Sequence, residues 1–210
     1  MYPVPKRPLL PRGLPVLWFL SIAIALGSLR FLIADIALVM PAMLHHALER
    51  PLLLYAHIFF APIALALLPF QFSKKLRLRR PGVHRWLGRL YGAATLVSGT
   101  AGIFLGFQTE QGPLAASGLV ALAVAWLSIT ALAVYLAIIR DIAAHREWMI
   151  RSAGLTVAAV TLRLYLPIGE LTVGFENSYP LICWLCWVPN LLFTEWLIRR
   201  TTKSPAAQSA

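Results

Sequence analysis

The sequence predicts an all-α membrane protein of six transmembrane helices in an up-down bundle. Three observations carry that expectation. The chain is 59% hydrophobic and only 13% charged over 210 residues, against about 25% charged in ordinary soluble domains. Six apolar runs each reach the ~20 residues that a helix needs to cross ~30 Å of hydrocarbon. Lys and Arg gather in alternate connections between those runs. A soluble core of this size could not hide so much apolar side chain. Backbone groups in lipid must bond within their own segment, which demands helices. A membrane barrel would need apolar and polar residues to alternate, and the runs do not alternate.

Residues 1–13 carry Lys6, Arg7, Arg12 and several prolines, and read as a disordered tail. A single membrane domain is expected over 14–198, followed by a second disordered tail at 199–210. The first run spans 14–40. Its early part resembles a signal-peptide core, but apolar character continues beyond any cleavage point, so an uncleaved span is expected. The later runs are 52–72, 86–107, 114–139, 148–172 and 180–198.

Charge sets the expected orientation. Lys74, Lys75, Arg77, Arg79, Arg80, Arg85 and Arg89 flank the second-to-third connection. Arg140, Arg146 and Arg151 flank the fourth-to-fifth, and Arg199, Arg200 and Lys203 follow the sixth run. Cytoplasmic loops carry the Lys/Arg excess, so both termini are expected inside. Trp18, Trp86, Trp148 and Trp196 then fall at the inner interface, and Trp184 and Trp187 near the outer one. The net charge of +11 fits loops facing anionic lipid headgroups rather than nucleic acid. Cys183 and Cys186 form a Cys-x-x-Cys pair within an apolar run and imply no disulfide framework.

Two related segments stand out. Residues 80–89 contain His84-Arg85-Trp86, and residues 145–151 contain His145-Arg146 with Trp148. Each begins a helix after a basic connection. They predict a pseudo-repeat of helices 2–3 and 4–5, with helices 3 and 5 diagonal and parallel. His84 and His145 would then share one depth, where two imidazoles could hold a b-type haem or a metal ion. Arg85, Arg89, Arg146 and Arg151 beside the helix N-termini suit anions and lipid phosphates. The plainer alternative is that such residues anchor the helix at the interface.

A second group lies deeper: Arg30, Asp35, His57, Arg163 and Glu170. Ionisable side chains at such depth are costly unless they face the bundle interior or find partners. Spacing within one helix does not favour pairing of Arg30 with Asp35 or of Arg163 with Glu170. Cross-helix pairing around His57 is therefore expected, with a plain ion pair or snorkelling to the outer headgroups as the alternative. Glu195 is one turn before Arg199 and reads as its partner. His45 and His46 read as solvated residues of an outer connection.

Beyond these groups, the order of motifs resembles a known family. The motifs are His57, Pro69-Phe70-Gln71-Phe72, Pro81-x-x-His84-Arg85-x-x-Gly88-Arg89-x-Tyr91, Arg140-Asp141-x-x-x-His145-Arg146-x-Trp148-Met149-x-Arg151-Ser152 and Thr161-Leu162-Arg163. Over roughly residues 50–170 they resemble predicted bacterial multi-spanning membrane proteins grouped as a domain of unknown function (DUF2306). The resemblance implies a bacterial inner-membrane protein, implies no activity, and singles out His57, His84, Arg85, Gly88, Arg89, His145, Arg146 and Arg163. A looser similarity is to b561-type cytochromes, six-helix proteins that use four ligand histidines. The fourth run has no histidine to oppose His57.

Two functional readings follow. In one, a redox membrane protein holds a b-type haem or a metal at His84 and His145, with an anionic or quinone-like group at Arg163 and His57. In the other, a non-enzymatic transporter, proton relay or lipid-binding protein uses the outer-half polar group for a small solute. Whether the protein is an enzyme stays open at this point.

Overall fold

A computed structural model describes residues 14–202. The expected tail at 1–13, and residues 203–210 of the one expected at 199–210, lie outside the described residues. The described chain forms eleven α-helices and no strand. They are α1 (Leu14–Ser28), α2 (Ile36–Val39), α3 (Leu44–Glu49), α4 (Pro51–Gln71), α5 (Lys74–Arg79), α6 (Pro81–Phe107), α7 (Gly112–Ile138), α8 (Ile142–Thr156), α9 (Ala158–Val173), α10 (Phe175–Leu185) and α11 (Val188–Thr202). Six stretches are long and apolar enough to cross a membrane: Pro15–Leu32, Pro51–Gln71, Pro81–Phe107, Gly112–Ile138, Ile142–Val173 and Phe175–Arg200. The protein is therefore an all-α, multi-span membrane protein.

The first span is shorter than expected. It ends in a 3-10 turn at Leu29–Leu32 rather than running on to residue 40. The Asp35 carboxylate accepts a hydrogen bond from the Ala37 N–H at 2.9 Å and caps α2, so the chain turns there. Residues 33–49 then fold across one end of the bundle as α2, the 3-10 turn Pro41–Met43 and α3. This is the far end of the bundle. The opposite, basic end holds α5, the α7–α8 turn and the C-terminus of α11. That last helix continues to Thr202 and carries Arg199 and Arg200, four residues past its expected stop.

Two spans break near their middle. The fifth divides at Val157 into α8 and α9, and the sixth at Cys186 and Trp187 into α10 and α11. Pro189 explains the second break, since its ring lacks an N–H and crowds the preceding turn. At the break the Cys186 carbonyl accepts from Asn190 Nδ2 at 2.9 Å and from the Thr161 hydroxyl, which supply it with partners in the apolar interior. Gly174 alone separates α9 from α10, and its φ of 82° is a conformation that L side chains rarely adopt.

Packing runs from α4 to α6, α6 to α7 and α7 to α8, and α8 in turn touches α4. Outside this ring, α1 lies against α4 and α9, α10 against α7 and α9, and α11 against α8. Leu65, Leu68, Tyr91, Ala94, Leu155 and Val160 form the centre of the core. Trp187 joins that core at 8% exposure and is no interface anchor. Cys183 and Cys186 are also buried, as free thiols.

The sequence suggests Arg199 as the partner of Glu195 and lipid phosphates for Arg151, but the structure pairs Arg151 and Glu195 with each other. Arg151 Nε donates to Glu195 Oε1 at 2.5 Å and its NH2 to Oε2 at 3.2 Å, a two-pronged link between α8 and α11. Its guanidinium also lies 4.7 Å from the Trp148 ring. Arg151 is thus engaged within the protein, unlike the exposed Arg85, Arg89 and Arg146.

Candidate functional site

The far-end half of the bundle encloses a cavity of about 310 Å³. All six spans and the 33–49 segment contribute to its wall. Most of the lining is Leu, Ile, Phe, Met, Ala and Gly. The charged or polar groups include Arg163, His57, His46, Ser28, Ser98 and Tyr179.

Arg163 sits ten residues before the end of α9, about 15 Å along the helix. A snorkelling side chain would reach from there toward the far headgroups. This one turns the other way: NH1 donates to the Ala159 carbonyl one turn deeper at 2.9 Å, and NH2 to Ser28 Oγ of α1 at 2.9 Å. Helical side chains lean toward the helix N-terminus, which favours this direction. Ser28 in turn donates to the Ile24 carbonyl at 2.7 Å, so its oxygen is left to accept from the guanidinium.

His57 lies six residues into α4, about 9 Å from the far end. Its Nδ1 is 3.0 Å from the Ser98 carbonyl of α6. A carbonyl only accepts, so Nδ1 carries the hydrogen, and in the neutral ring Nε2 remains as an acceptor. Ser98 Oγ, 3.1 Å from the same nitrogen, reinforces the tether.

The deep group therefore forms only in part. His57 and Arg163 reach one cavity, close enough to act on each other electrostatically. Arg30 is exposed and lies 4.8 Å from the Phe31 ring. Asp35 is committed to its cap, and Glu170 is exposed near the far end of α9. Among the described residues no ion pair joins Arg30, Asp35, Arg163 or Glu170, in contrast to the expected cross-helix pairing.

Sequence reasoning missed His46. It is 1% exposed, lines the cavity, and leaves Nδ1 buried without a hydrogen-bond partner. Its neighbour His45 reaches Glu110 of the α6–α7 turn at 3.6 Å, tying the 33–49 segment across the cavity mouth. Burial, helped by His45 and Arg50 and opposed by Glu49, holds the His46 pKa down to about 4. The folded state thus binds a proton less readily than the unfolded chain, whose histidine titrates near 6.5. The stabilisation is complete above about pH 6.5 and is lost as pH falls toward 4. The melting temperature of the wild type should therefore drop on acidification over this window, more steeply than that of His46→Gln.

A second polar group was also missed, between the cavity and the basic end. Thr156 Oγ1 donates to the Ser152 carbonyl at 2.9 Å and accepts from Trp126 Nε1 at 2.9 Å. Its proton being used, Thr156 must also accept from Tyr91 OH, 2.7 Å away. Tyr91 then accepts from Ser152 Oγ at 2.6 Å, and Ser152 from Thr130 Oγ1 at 2.6 Å. Every hydroxyl proton in this buried chain is assigned and it ends on a carbonyl, so it clamps α6, α7 and α8. Tyr91→Phe should cost about 1 kcal/mol in membrane-embedded stability. Chemical unfolding measures this, with the exposed Tyr135→Phe as an unchanged control.

At the basic end, His145 Nδ1 donates to the Ala133 carbonyl of α7 at 2.7 Å. His84 Nδ1 is buried without a partner, and Gln71 Nε2 donates to the His84 carbonyl at 3.4 Å. His145, Arg77 and Arg85 lie near enough to His84 to act on it electrostatically. Neither histidine lines the cavity. Among the described residues no group of three or more His, Cys, Asp or Glu side chains could hold a metal ion.

Against this geometry, a family model described as a predicted membrane protein, DUF2306, matches residues 54–198. The chain belongs to this family. No curated protein and no solved structure matches it, and the looser likeness to b561-type cytochromes finds no support. The DUF2306 match takes in His57, Ser98 and Arg163 as well as the basic-end histidines. It leaves out α1 and the 33–49 segment, which bring Ser28 and His46 to the cavity.

Proposed function

We propose that this protein is a non-enzymatic binding or transport protein of a bacterial inner membrane. Its basic end faces the cytoplasm, where Arg85, Arg89 and Arg146 meet anionic lipid headgroups. Its cavity takes a small, mostly apolar solute with a polar group at His57 and Arg163. The observation that carries this reading is the convergence of those two side chains, from different spans, on one cavity of about 310 Å³. That volume is near the lower end of the ~300–1,000 Å³ of ligand pockets, whose walls are likewise apolar with a few placed polar groups.

The redox reading draws on the nearness of His84 and His145. Supplying haem during expression and recording oxidised and dithionite-reduced spectra separates the two. The binding reading expects no Soret band that sharpens on reduction. A band lost in both His84→Ala and His145→Ala would put the redox reading first.

The direct test is a thermal-shift series in lipid nanodiscs with 1-octanol, octanoate, octylamine and a short-chain quinone. At least one should raise the melting temperature of the wild type, with a smaller rise in the double variant His57→Ala/Arg163→Ala. A series without any shift would contradict the reading.

A further inference from the structure

We infer that the cavity takes a small carboxylic acid with an apolar tail, bound as its anion on Arg163 while His57 Nε2 holds the proton. This rests on the binding reading above and names its ligand class.

Charge comes first. The lining contains Arg163 but no Asp or Glu, and Arg30 is close enough to add to the positive field. Of the five N–H donors of a guanidinium, Arg163 uses one on Ala159 and one on Ser28, both neutral. Among the described residues no carboxylate pairs with it. A cation in an apolar wall without a counter-ion favours an anion, and the guanidinium fork matches the two oxygens of a carboxylate.

His57 adds a second requirement. With Nδ1–H tethered to the Ser98 carbonyl, Nε2 presents a lone pair and calls for a donor. The O–H of a carboxylic acid is that donor. On binding, the acid O–H bond breaks and an N–H bond forms at Nε2. The carboxylate then lies against two cations, and the net charge of the pair equals that of the neutral acid plus imidazole. His46 from α3, Tyr179 from α10 and Cys186 from the α10–α11 break also face the cavity, and none carries a carboxylate.

The rest of the wall sets the tail. Leu54, Ile58, Leu65, Leu122 and Leu162 are among its apolar groups, which suit a hydrocarbon chain of medium length. With its histidines neutral before binding, the lining carries one formal charge, that of Arg163, which a monocarboxylate offsets.

Calorimetric titration of the full-length protein in nanodiscs at pH 6.5 tests this, using octanoate in two buffers of different ionisation heat. Octanoate is ionised at that pH, so binding should take up about one proton per ligand. Octanol should bind about tenfold more weakly or worse, and octylamine should not bind. Arg163→Gln should lose octanoate binding about tenfold or more while keeping octanol. His57→Gln should abolish the proton uptake. If Arg163→Gln fails to fold, Arg163→Lys serves, with weakened octanoate binding expected because the fork is lost. Palmitate binding more tightly than octanoate would overturn the medium-chain assignment in favour of a bilayer fatty acid. Equal binding of octanol and octanoate without proton uptake would overturn the acid class and leave the cavity reading standing. Binding of neither would overturn both.

Discussion

Gly118→Leu should lower the stability of the membrane domain by about 3 kcal/mol or more, at the upper end of overpacking costs. A Cβ at position 118 would lie 2.9 Å from Trp184 Cδ1 and 3.0 Å from both the carbonyl carbon and oxygen of Cys183. The side chain could rotate away, but the α10 backbone could not. The span would shift outward, and the hydrogen bond from Trp184 Nε1 to the Leu114 carbonyl, 3.1 Å long, would break. Gly27→Leu is the control, since a Cβ there meets nothing within 4 Å. Unfolding midpoints in detergent should separate the two variants clearly. Equal midpoints would show that α7 and α10 do not approach as closely as described.

The second large effect concerns the cavity. Ala61 lies one turn after His57 on α4 and faces the same space. In Ala61→Phe the ring should occupy much of the ~310 Å³ and abolish the thermal shift given by octanoate. Without ligand the same variant should be as stable as the wild type or gain about 0.5–2 kcal/mol, as cavity-filling changes commonly do. Loss of binding with unchanged or raised intrinsic stability would distinguish occlusion of a site from damage to the fold. Retained binding would place the ligand elsewhere.

Much of the fold was legible in the sequence because a bilayer demands long apolar helices, and each run had to supply one. The end of the first span was not legible. Residues 33–40 stay apolar apart from Asp35, and only the capping bond of that side chain to Ala37 reveals the turn. The break at Pro189 was equally quiet, since transmembrane helices tolerate proline when neighbours supply hydrogen bonds, as Thr161 and Asn190 do here.

The site was legible where it carried charge. Arg163 and His57 announce themselves at their depth. Their serine partners do not, because a serine in a membrane helix can satisfy itself on its own backbone, as Ser28 does on Ile24. From sequence His46 reads as solvated, because sequence alone does not show that its short helix folds back over the bundle. The hydroxyl clamp had a faint signal. His84, Tyr91, Thr95 and Ser98 recur on one face of α6, and His145, Ser152 and Thr156 follow the same spacing on α8. The sequence points Glu195 at Arg199 because it shows neighbours along a helix but not across two, and α11 packs on α8 beside Arg151.

In the proposed site, Arg163 and His57 receive the polar end of an apolar ligand inside the far half of the bundle. Photolabelling with an octanoic acid that carries a terminal diazirine, followed by peptide mapping, tests it most directly. Adducts are expected on cavity residues such as Leu122, Ala123 and Leu162, suppressed by excess octanoate and absent in Arg163→Gln. Adducts confined to lipid-facing positions such as Phe19 and Leu171, indifferent to competitor and to Arg163, would contradict it.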